Sequence, residues 1–447
     1  MKTKWLCVFM ITFNILCAAC GKINEVITED TGTTLESMET EKLEESEEIN
    51  PPEFYVVWAV PNIVSISEET VTLINSMLRE DGYSYGIQFT YLDFDDYENA
   101  LQTTEADIVF LGTDSNIAQE AIKSGRFYCL NELLRGSRLY DVMPDQIWGS
   151  VAYKDKIYSI PNEVAQDMGV HILFNQDKIA INESESFNGD ILTLDKYIQD
   201  GGKILYQLSG FAYASYYGYS YQYGILVSED GECMSPFENK KCMEWMVTMR
   251  QWYLEGKVTT DAESEWDICI TSEPTSVDEE NIYDYATKGI LESRYSASTG
   301  ICSNAKHIKE AFTLLELFHT DTKYGNCLVY GAGYGEKDGH AVNAAGEASE
   351  GFINKVVLGL AQGLLIEDDK LYYFESVEDK KTYYDTSVMK SPLLGIEMPK
   401  ESFELNRIKH QYDTIIFDDE YDQKLEQFKE ETTDLITVVI DKLSAVR

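Results

Sequence analysis

The sequence predicts an α/β protein of two domains, on the basis of chain length, the order of apolar segments and one stretch where a domain passes into the next. At 447 residues the chain exceeds the size at which one hydrophobic core usually stops growing. Strand-like and helix-like segments alternate from Phe54 onward, which is typical of parallel sheets flanked by helices. An aromatic strand over residues 151–160 stops at Pro161, a polar stretch follows, and a second strand begins at Val170. We interpret this stretch as a hinge.

The elements of the first half are predicted in a definite order. Phe54 begins an apolar run that fits a buried parallel strand, and the Ser65 to Glu68 pattern of a capping box opens a helix. A strand around Ile87, a helix over residues 93–102 and a strand from Asp107 follow. This βαβαβ order predicts a parallel sheet with right-handed crossovers.

Beyond the hinge the alternation continues. Strands are expected near Ile172 and Ile204, followed by a tyrosine-rich run and a helix over residues 239–255. Five apolar residues of that helix recur at helical spacing, which indicates a core-facing stripe rather than a cofactor site. They are Cys242, Trp245, Met246, Met249 and Trp252.

The first 53 residues predict export and a tether. An apolar run over residues 5–19 follows two lysines, is too short to span a bilayer and ends in small residues, as a signal peptide does. Residues 20–53 are rich in Glu, Thr and Ser and poor in aromatics, so we expect an acidic disordered tether. The sequence Leu-Cys-Ala-Ala-Cys-Gly at 16–21 resembles a bacterial lipobox and implies lipidation of Cys20. Cys17 stands where the lipobox usually has Leu, so a plain signal peptide stays open.

The charge excludes one broad class of partners. The 78 acidic and 36 basic residues give a formal net charge of -42, which repels phosphate backbones and anionic lipid headgroups. We therefore expect no nucleic-acid binding. The acidity is interpreted as a solvated surface, with an acidic site for basic substrates as the alternative.

Four segments, in order along the chain, resemble one protein family. They are Tyr-Lys-Asp-Lys-Ile-Tyr-Ser-Ile-Pro-Asn at 153–162 with Asn175 beyond it, Met-Arg-Gln-Trp-Tyr-Leu-Glu-Gly-Lys-Val at 249–258, the helix-like segment at 300–321, and Ser-Pro-Leu-Leu-Gly at 391–395. In this order they resemble the extracellular solute-binding lipoproteins of ABC importers, of the family 1 type that carries saccharides and other small solutes.

The resemblance implies a two-lobed periplasmic-binding-protein-like fold of type II, each lobe a mostly parallel sheet flanked by helices. It assigns residues 54–162 and 298–342 to the first lobe, and 163–297 and 343–447 to the second. A solute bound between hinged lobes would favour the closed state, which a permease recognises.

The solute site is expected at the carboxyl ends of the strands, where two-lobed α/β proteins place their cleft. Aromatics are 12% of residues, with thirty tyrosines, and their flat faces suit sugar rings or apolar side chains. Structural alternatives stay open: Trp58 also fits a core, alternating tyrosines fit a strand face, and Thr113 with Asp114 could cap a helix. The predicted ligand-binding residues are Trp58, Asn62, Thr113, Asp114, Asn116, Trp148, Glu163, Gln166, Tyr213, Tyr216, Tyr217, Trp266 and Arg294.

No catalytic, metal or cofactor motif stands out in the sequence. The five histidines lack zinc-site spacing, no G-x-S-x-G occurs, and carboxylates close in sequence do not establish opposed geometry around a glycosidic bond. The glycines at 331, 333 and 335 lack the spacing of a nucleotide-binding loop and are interpreted as a mobile loop. We therefore expect no metal, no cofactor and no enzymatic activity.

The predicted function is that of an extracytoplasmic lipoprotein, held by a lipid on Cys20 to the outer face of the cell membrane. As a monomer it would capture a small solute, an oligosaccharide by preference, and deliver it to ABC permease subunits. The open alternatives are a ligand-presenting lipoprotein for a sensor kinase, a peptide receptor and an extracellular carbohydrate-active enzyme. Six cysteines outside the signal and anchor fit disulfides or buried thiols, with Cys233 and Cys242 as the first pair to test.

Overall fold

The computed structural model describes a large part of the chain from residue 51 onward, and every structural statement below concerns that part. The described residues are 51–112, 115–161, 169–180, 184, 186–198, 200–272, 282–291, 298–337, 340–342 and 377–446. The predicted signal peptide, the lipobox with Cys20 and nearly all of the tether lie outside them. Within the described ranges, no helix combines the length and apolarity needed to cross a membrane.

The strands are short. In chain order they are β1 (Phe54–Pro61), β2 (Tyr85–Leu92), β3 (Ile108–Phe110), β4 (Ala152–Tyr153), β5 (Lys156–Ile157), β6 (Ser159–Pro161), β7 (His171–Asn175), β8 (Ile204–Tyr206), β9 (Tyr219–Gln222), β10 (Ile225–Ser228), β11 (Cys233–Met234), β12 (Val258–Thr259), β13 (Ile268–Thr271), β14 (Ile282–Ala286), β15 (Gly289–Leu291), β16 (Ser298–Ile301), β17 (Gly335–Lys337), β18 (His340–Val342) and β19 (Val388–Lys390).

Helices and short 3-10 turns lie between many of the strands along the chain. The helices are α1 (Glu68–Glu80), α2 (Tyr97–Thr103), α3 (Ser115–Lys123), α4 (Asn131–Leu134), α5 (Arg138–Asp141), α6 (Asp145–Ser150), α7 (Lys240–Leu254), α8 (Ile308–Thr320), α9 (Thr322–Tyr330), α10 (Val377–Ser387), α11 (Lys400–Lys409) and α12 (Tyr421–Val446). The 3-10 turns are Phe94–Asp96, Ile191–Lys196, Ala212–Tyr217, His410–Tyr412 and Ile415–Phe417.

The first five-stranded sheet, sheet 1, has the order β2-β1-β3-β16-β6. β1 pairs in parallel with β2 and β3, as the βαβαβ pattern predicted, whereas β16 is antiparallel to both of its neighbours. Its core contains Val56, Ile74, Ile108 and Leu315, each with no exposed surface. The long, apolar β1 lies inside this sheet because a strand buried on both faces needs a continuous apolar run.

The second five-stranded sheet, sheet 2, has the order β12-β8-β13-β7-β14. β8, β12 and β13 are parallel to one another, and β7 and β14 run antiparallel to their neighbours. The five predicted stripe residues of α7 are all buried, and four of them are less than 2% exposed, so that helix faces the core as expected. Its first turn is capped by the Asn239 side chain, which accepts from the Cys242 N–H at 3.1 Å.

Three local predictions differ from the structure in detail. The N-cap of α1 is Ser67, two residues after the predicted capping box, because its hydroxyl accepts from the Thr70 N–H. The helix expected over 93–102 begins as a 3-10 turn and becomes α-helical only at Tyr97. The single strand expected over 151–160 is a β4–β5 hairpin followed by β6, because Lys154 and Asp155 adopt positive φ angles of 51° and 63° and turn the chain.

A third apolar cluster lies beside the second sheet and is formed mainly by the C-terminal third of the chain. β9, β10 and β11 form a three-stranded antiparallel sheet that packs on α11 and α12. Leu393 and Met398, from the segment between β19 and α11, are 2% and 3% exposed in this cluster. In contrast, Tyr384 of α10 is buried in the core of sheet 1, so the chain after residue 376 contributes to both halves of the molecule.

Candidate solute site where the chain crosses between the sheets

Two of the places where the chain passes between the two sheets have described strands on both sides, and they lie next to each other. β6 ends at Pro161 beside Ser298 of β16 in sheet 1, and β7 begins at His171 beside Ala286 of β14 in sheet 2. Residues 162–168 and 292–297, between these strands, lie outside the described residues. The strand ends that lead into and out of the crossings are therefore antiparallel neighbours in both sheets, which is the arrangement of a two-stranded hinge.

Both sheets present their carboxyl edges to these crossings. β6 is parallel to β3, since each is antiparallel to β16, so Pro161 lies at the same edge of sheet 1 as the ends of β1, β2 and β3. In sheet 2, His171 pairs with Thr271 at the carboxyl end of β13. The edges that commonly bind ligands in α/β proteins therefore border the crossings from both sides.

At the sheet 2 edge the two crossings are joined directly. The Thr287 N–H donates to the Val170 carbonyl at 2.9 Å, and the Val170 N–H donates to the Thr287 hydroxyl at the same distance. Gly169 has a φ of 78°, and a Cβ there would lie 2.5 Å from the Thr287 carbonyl oxygen. This close approach explains why a glycine ends the first crossing.

A cluster of hydroxyl-bearing side chains covers this junction, and we name Ser215, Tyr216, Tyr285 and Thr287 the tyrosine cluster. The Tyr216 ring stacks on Tyr285, with centroids 6.3 Å apart and planes 15° apart. The Tyr216 hydroxyl lies 3.2 Å from the Val170 carbonyl oxygen and 3.4 Å from that of Tyr285. Burial, and then the nearby Asp284 and Tyr285, raise the pKa of Tyr216, so its hydroxyl stays protonated as a donor.

The 3-10 turn Ala212–Tyr217 positions this cluster and is fixed from both ends. The Gly210 N–H donates to the Asp413 carbonyl at 2.9 Å, which ties the start of the turn to the C-terminal segment. The Tyr213 hydroxyl donates to the Cys242 carbonyl at 2.8 Å, and Gly218 ends the turn with a φ of 80°. The turn is thus held by main-chain contacts far apart in sequence.

At the carboxyl edge of sheet 1 a second aromatic residue is held in place. The loop that follows α9 contacts the first turn of α1, where the Ala332 N–H donates to the Thr70 hydroxyl at 2.9 Å. Since α1 follows the carboxyl end of β1, this loop lies at the edge that borders the crossings. It carries Tyr334, which is half-buried and whose ring centroid lies 6.2 Å from that of Tyr330. The loop expected to be mobile therefore has a defined anchor in this structure.

Four of the predicted ligand-binding residues lie at these edges. Asn62 is exposed and follows β1, where its side-chain oxygen accepts from the Phe94 N–H at 3.3 Å. Asn116 is half-buried in the first turn of α3, directly beyond β3. Tyr216 and Tyr217 belong to the turn at the sheet 2 edge, and Lys241 lies over the Tyr217 ring at 5.5 Å.

Four other predicted residues pack inside the protein, where their side chains have almost no surface to offer a solute. Trp58 is fully buried between Phe89 and Phe318, and Tyr213 is fully buried in the core of sheet 2. Trp148 is 2% exposed. Trp266 is 5% exposed and precedes β13, at the amino edge opposite the crossings. These four predictions disagree with the structure because large aromatic side chains are often packed into the core, as on β1, the strand buried on both faces that carries Trp58.

The remaining predicted residues lie outside the described residues. They are Thr113, Asp114, Glu163, Gln166 and Arg294.

Sequence reasoning missed Ser215, Tyr285, Thr287 and Tyr334. Tyr285 lies on a strand whose alternating residues do not indicate which end of the strand borders the crossings. Tyr334 lies in a glycine-rich loop. The available signal was proximity in sequence to the second crossing, since Thr287 comes two residues before β15. Their grouping depends on contacts between segments about 70 residues apart, such as the 3.4 Å contact of the Thr287 and Ser215 hydroxyls.

Two findings in the described residues concern metal binding and thiol chemistry. These residues contain no group of three or more His, Cys, Asp or Glu side chains that could hold a metal ion. The six cysteines from residue 129 onward are all free thiols, so Cys233 and Cys242 are not bonded to each other. Burial raises the pKa of Cys242 to about 12 and that of Cys327 to about 11, which makes them unreactive core residues.

A separate polar pocket of about 480 Å³ lies at the amino edge of sheet 2. It is lined by residues of the second half of the molecule only, and its Lys178 pairs with Glu265 at 3.3 Å and Asp267 at 3.7 Å. No aromatic side chain is among its lining residues. Because it has no contact with the sheet 1 half, it lacks the two-sided contact on which hinge closure depends.

Comparison with known proteins finds similarity in structure but not in sequence. No family model matches the chain, and no curated protein matches it. The N-glycan transport solute-binding protein NgtS from Streptococcus pneumoniae superposes with a TM-score of 0.60 at 16% identity, covering 88% of this chain and 97% of that one. NgtS in complex with Man1GlcNAc gives a TM-score of 0.54 at 15% identity, covering 88% and 98%.

The chain has the fold of a solute-binding protein. The coverage shows that the similarity extends over nearly the whole of NgtS. The predicted α/β, two-lobed, periplasmic-binding-protein-like fold is confirmed, and the resemblance on which it was based is confirmed at the level of the fold. We refer below to the sheet 1 half as the first lobe and the sheet 2 half as the second lobe.

Proposed function

We propose that this protein is an extracytoplasmic solute-binding lipoprotein that captures an oligosaccharide between its two lobes and delivers it to an ABC permease. The observation that carries this proposal is the tyrosine cluster at the junction of the two crossings. It places a stacked aromatic pair and hydroxyl groups at the carboxyl edge of the second lobe, against the backbone through which the chain enters that lobe. Aromatic faces with adjacent hydrogen-bonding groups are suited to sugar rings.

The first lobe contributes the opposite wall in this proposal. Asn62 and Asn116 supply amide groups at the ends of β1 and β3, and Tyr334 supplies an aromatic face from the anchored loop. A solute that touches both walls gains contacts only when the lobes close, so binding favours the closed state by that difference in free energy. The fold shared with NgtS, a protein described as acting in N-glycan transport, supports an oligosaccharide as the solute.

A transport role and an anchored location complete the proposal. The lipobox-like sequence supports lipidation of Cys20 and attachment to the outer face of the membrane, with residues 20–53 as a tether. Mass spectrometry of the N-terminal peptide from membrane fractions tests the anchor: a diacylglyceryl group on Cys20 is expected, and Cys20→Ser should release the protein. Loss of labelled-solute uptake in cells that lack the protein would separate transport from presentation to a sensor kinase.

The solute is tested by calorimetric titration of the purified protein with Man1GlcNAc, with larger oligosaccharides and with short cationic peptides. We expect saturable binding of one oligosaccharide per chain and no product on prolonged incubation. Tyr216→Ala and Tyr334→Ala should each weaken binding about tenfold, which corresponds to about 1.4 kcal/mol for a lost aromatic contact.

Tyr253→Ala is the matched control, because Tyr253 is a half-buried tyrosine on α7 that packs against Phe417 and not at the crossings. It should leave the affinity within twofold of the unmodified protein. Binding of peptides alone would replace the oligosaccharide with a peptide solute. Consumption of the sugar would establish an enzyme and contradict the proposal.

A further inference from the structure

Residues 391–398 form a segment inserted between the two lobes, which we name the bridging segment. It follows β19, which pairs in parallel with β15 of the second crossing, and the Ser391 N–H donates to the Leu291 carbonyl at 2.9 Å. The segment therefore begins as a direct neighbour of the hinge. Some of its residues contact the second lobe and others contact the first lobe.

One set of its contacts belongs to the second lobe. The Ser391 hydroxyl lies 2.7 Å from the amide nitrogen of Gln222 on β9, and both side chains are less than 5% exposed. Leu393 and Met398 are buried among residues of β10, α11 and α12. These contacts are apolar or neutral, so they are insensitive to salt.

The other set belongs to the first lobe and is centred on Glu397. Its carboxylate lies 2.8 Å from the Lys123 amine and 3.4 Å from the Lys154 amine, and it accepts from the Tyr153 hydroxyl at 2.9 Å. The Glu397 side chain is 35% exposed, so the cluster is within reach of dissolved ions. The Lys123 contact, followed by Tyr153, lowers the pKa of Glu397 and keeps it charged at neutral pH.

Gln119 adds a neutral contact beside this cluster. Its amide oxygen accepts from the Met398 N–H at 3.1 Å, and its amide nitrogen lies 3.3 Å from the Met398 carbonyl oxygen. Gln119 is 1% exposed, so this two-way contact is shielded from water. The first lobe thus holds the bridging segment through one buried amide and one partly exposed ion cluster.

Two first-lobe residues that contact the bridging segment belong to the same helix as a proposed solute-binding residue. Gln119 is the middle residue of α3 and Lys123 its last, and Asn116 lies in its first turn, beyond the carboxyl end of β3. A nine-residue helix moves as one piece, so a shift of its second half also shifts its first turn. Contact with the bridging segment and contact with the solute are therefore made by one rigid element.

We propose that Glu397 is a positioning residue that, through Lys123 and the bridging segment, fixes α3 and the angle between the lobes in the arrangement that accepts the solute. This inference rests on the proposed function and adds a control element to the same site. Without the Glu397 charge, the lobes and α3 sample additional arrangements, and the fraction competent to bind falls. The apparent Kd rises by the same factor.

The test compares Glu397→Gln with Glu401→Gln. Glu401 is the matched control because its carboxylate pairs with Lys442 at 2.7 Å, an ion pair between α11 and α12 of the second lobe. We expect Glu397→Gln to weaken oligosaccharide binding about three- to tenfold, the range of a partly exposed ion network, and Glu401→Gln to change it less than twofold. Lys123→Met, a second variant that removes the partner instead, should act in the same direction as Glu397→Gln.

Salt dependence gives a readout that a purely structural role would not change. For an uncharged oligosaccharide, raising NaCl from 0.05 to 0.5 M should weaken binding to the unmodified protein, because salt screens the Glu397 cluster. Binding to Glu397→Gln should be insensitive to the same change. Equal affinities and equal salt dependence in the two proteins would overturn the inference.

A measurement without solute separates this inference from the proposed function. Amide hydrogen exchange in residues 115–123 and 391–398 should be faster in Glu397→Gln than in the unmodified protein, and unchanged in Glu401→Gln. If no oligosaccharide binds but exchange increases as expected, the solute assignment fails and the bridging role stands. If exchange is unchanged in Glu397→Gln, the bridging role fails whatever the solute.

Discussion

The hydroxyl of Tyr216 lies 3.2 Å from the carbonyl oxygen of Val170, where the first crossing enters the second lobe. Tyr216 belongs to a 3-10 turn and Val170 to the end of the hinge, 46 residues earlier in the chain. This contact joins a proposed solute residue to the backbone that must bend when the lobes move. Position at the hinge, and not aromatic character alone, distinguishes Tyr216 from most tyrosines of this chain.

Tyr216→Phe should keep the stacking on Tyr285 and remove the hydrogen bond. We expect a loss of about 1 kcal/mol in the free energy of unfolding, because a buried carbonyl loses a partner. Urea denaturation followed by circular dichroism measures this loss. Tyr253→Phe, on α7 beside Phe417, is the control and should change the free energy by less than half as much. Equal effects of the two variants would show that the Tyr216 hydroxyl has no special role.

Gly169→Ala should destabilise the protein far more than Gly82→Ala. Both glycines have positive φ angles, 78° and 88°, so both variants incur backbone strain. Only at Gly169 would the new Cβ lie 2.5 Å from a main-chain oxygen, that of Thr287, whereas nothing lies within 4 Å at Gly82. We expect Gly82→Ala to cost about 1 kcal/mol and Gly169→Ala about 3 kcal/mol or more in unfolding free energy. Similar melting temperatures in the two variants would contradict the close contact between the crossings.

Trp58→Ala should unfold the first lobe rather than weaken solute binding in a folded protein. Trp58 is fully buried against Phe89 and Phe318, and truncating a buried tryptophan costs about 3–5 kcal/mol. Tyr55→Ala, three residues earlier on the same strand, is the matched control, since Tyr55 is 43% exposed. We expect this variant to lose less than about 1 kcal/mol in the free energy of unfolding. A Trp58→Ala protein of normal stability and reduced solute affinity would restore Trp58 as a site residue.

Stability should fall steeply above pH 10. Burial raises the pKa of Tyr97, Tyr206 and Tyr213 above the usual value of 10.0, so the folded protein holds these protons more tightly than the unfolded chain does. Their contribution is complete below about pH 10 and is lost as the pH rises further. Tyrosinate absorbance at 295 nm should therefore rise in two stages.

The first stage, near pH 10, belongs to exposed tyrosines in general, and the second should coincide with loss of the circular dichroism signal. Between pH 7 and 9 the buried tyrosines stay protonated in both the folded and the unfolded chain, so they should not change the melting temperature in that range. Ionisation of all thirty tyrosines with the folded signal intact would show that burial does not protect them.

The sequence by itself determined the fold class, the order of elements in the first lobe and the position of the hinge. Phe54–Pro61 could be recognised because a strand buried on both faces needs a continuous apolar run, and α7 because its apolar stripe has helical spacing. Pro161 and Gly169 marked the first crossing, since a proline cannot donate to a strand ladder and so often marks a strand end or an edge strand, and a glycine permits positive φ. All of these signals are local, so one sequence suffices to detect them.

The tertiary structure alone decided which aromatics face the core and which reach the edge. Trp58 and Tyr216 are both aromatic and were both predicted to bind the solute. Trp58 packs against Phe318, 260 residues away in the chain, whereas the Tyr216 hydroxyl contacts the Val170 carbonyl at the hinge. Glu397 likewise gained its three partners only when α3 and the β4–β5 hairpin were brought beside the bridging segment. Periodicity fixes the face of a strand or helix, whereas the neighbour on that face depends on long-range packing that no local pattern encodes.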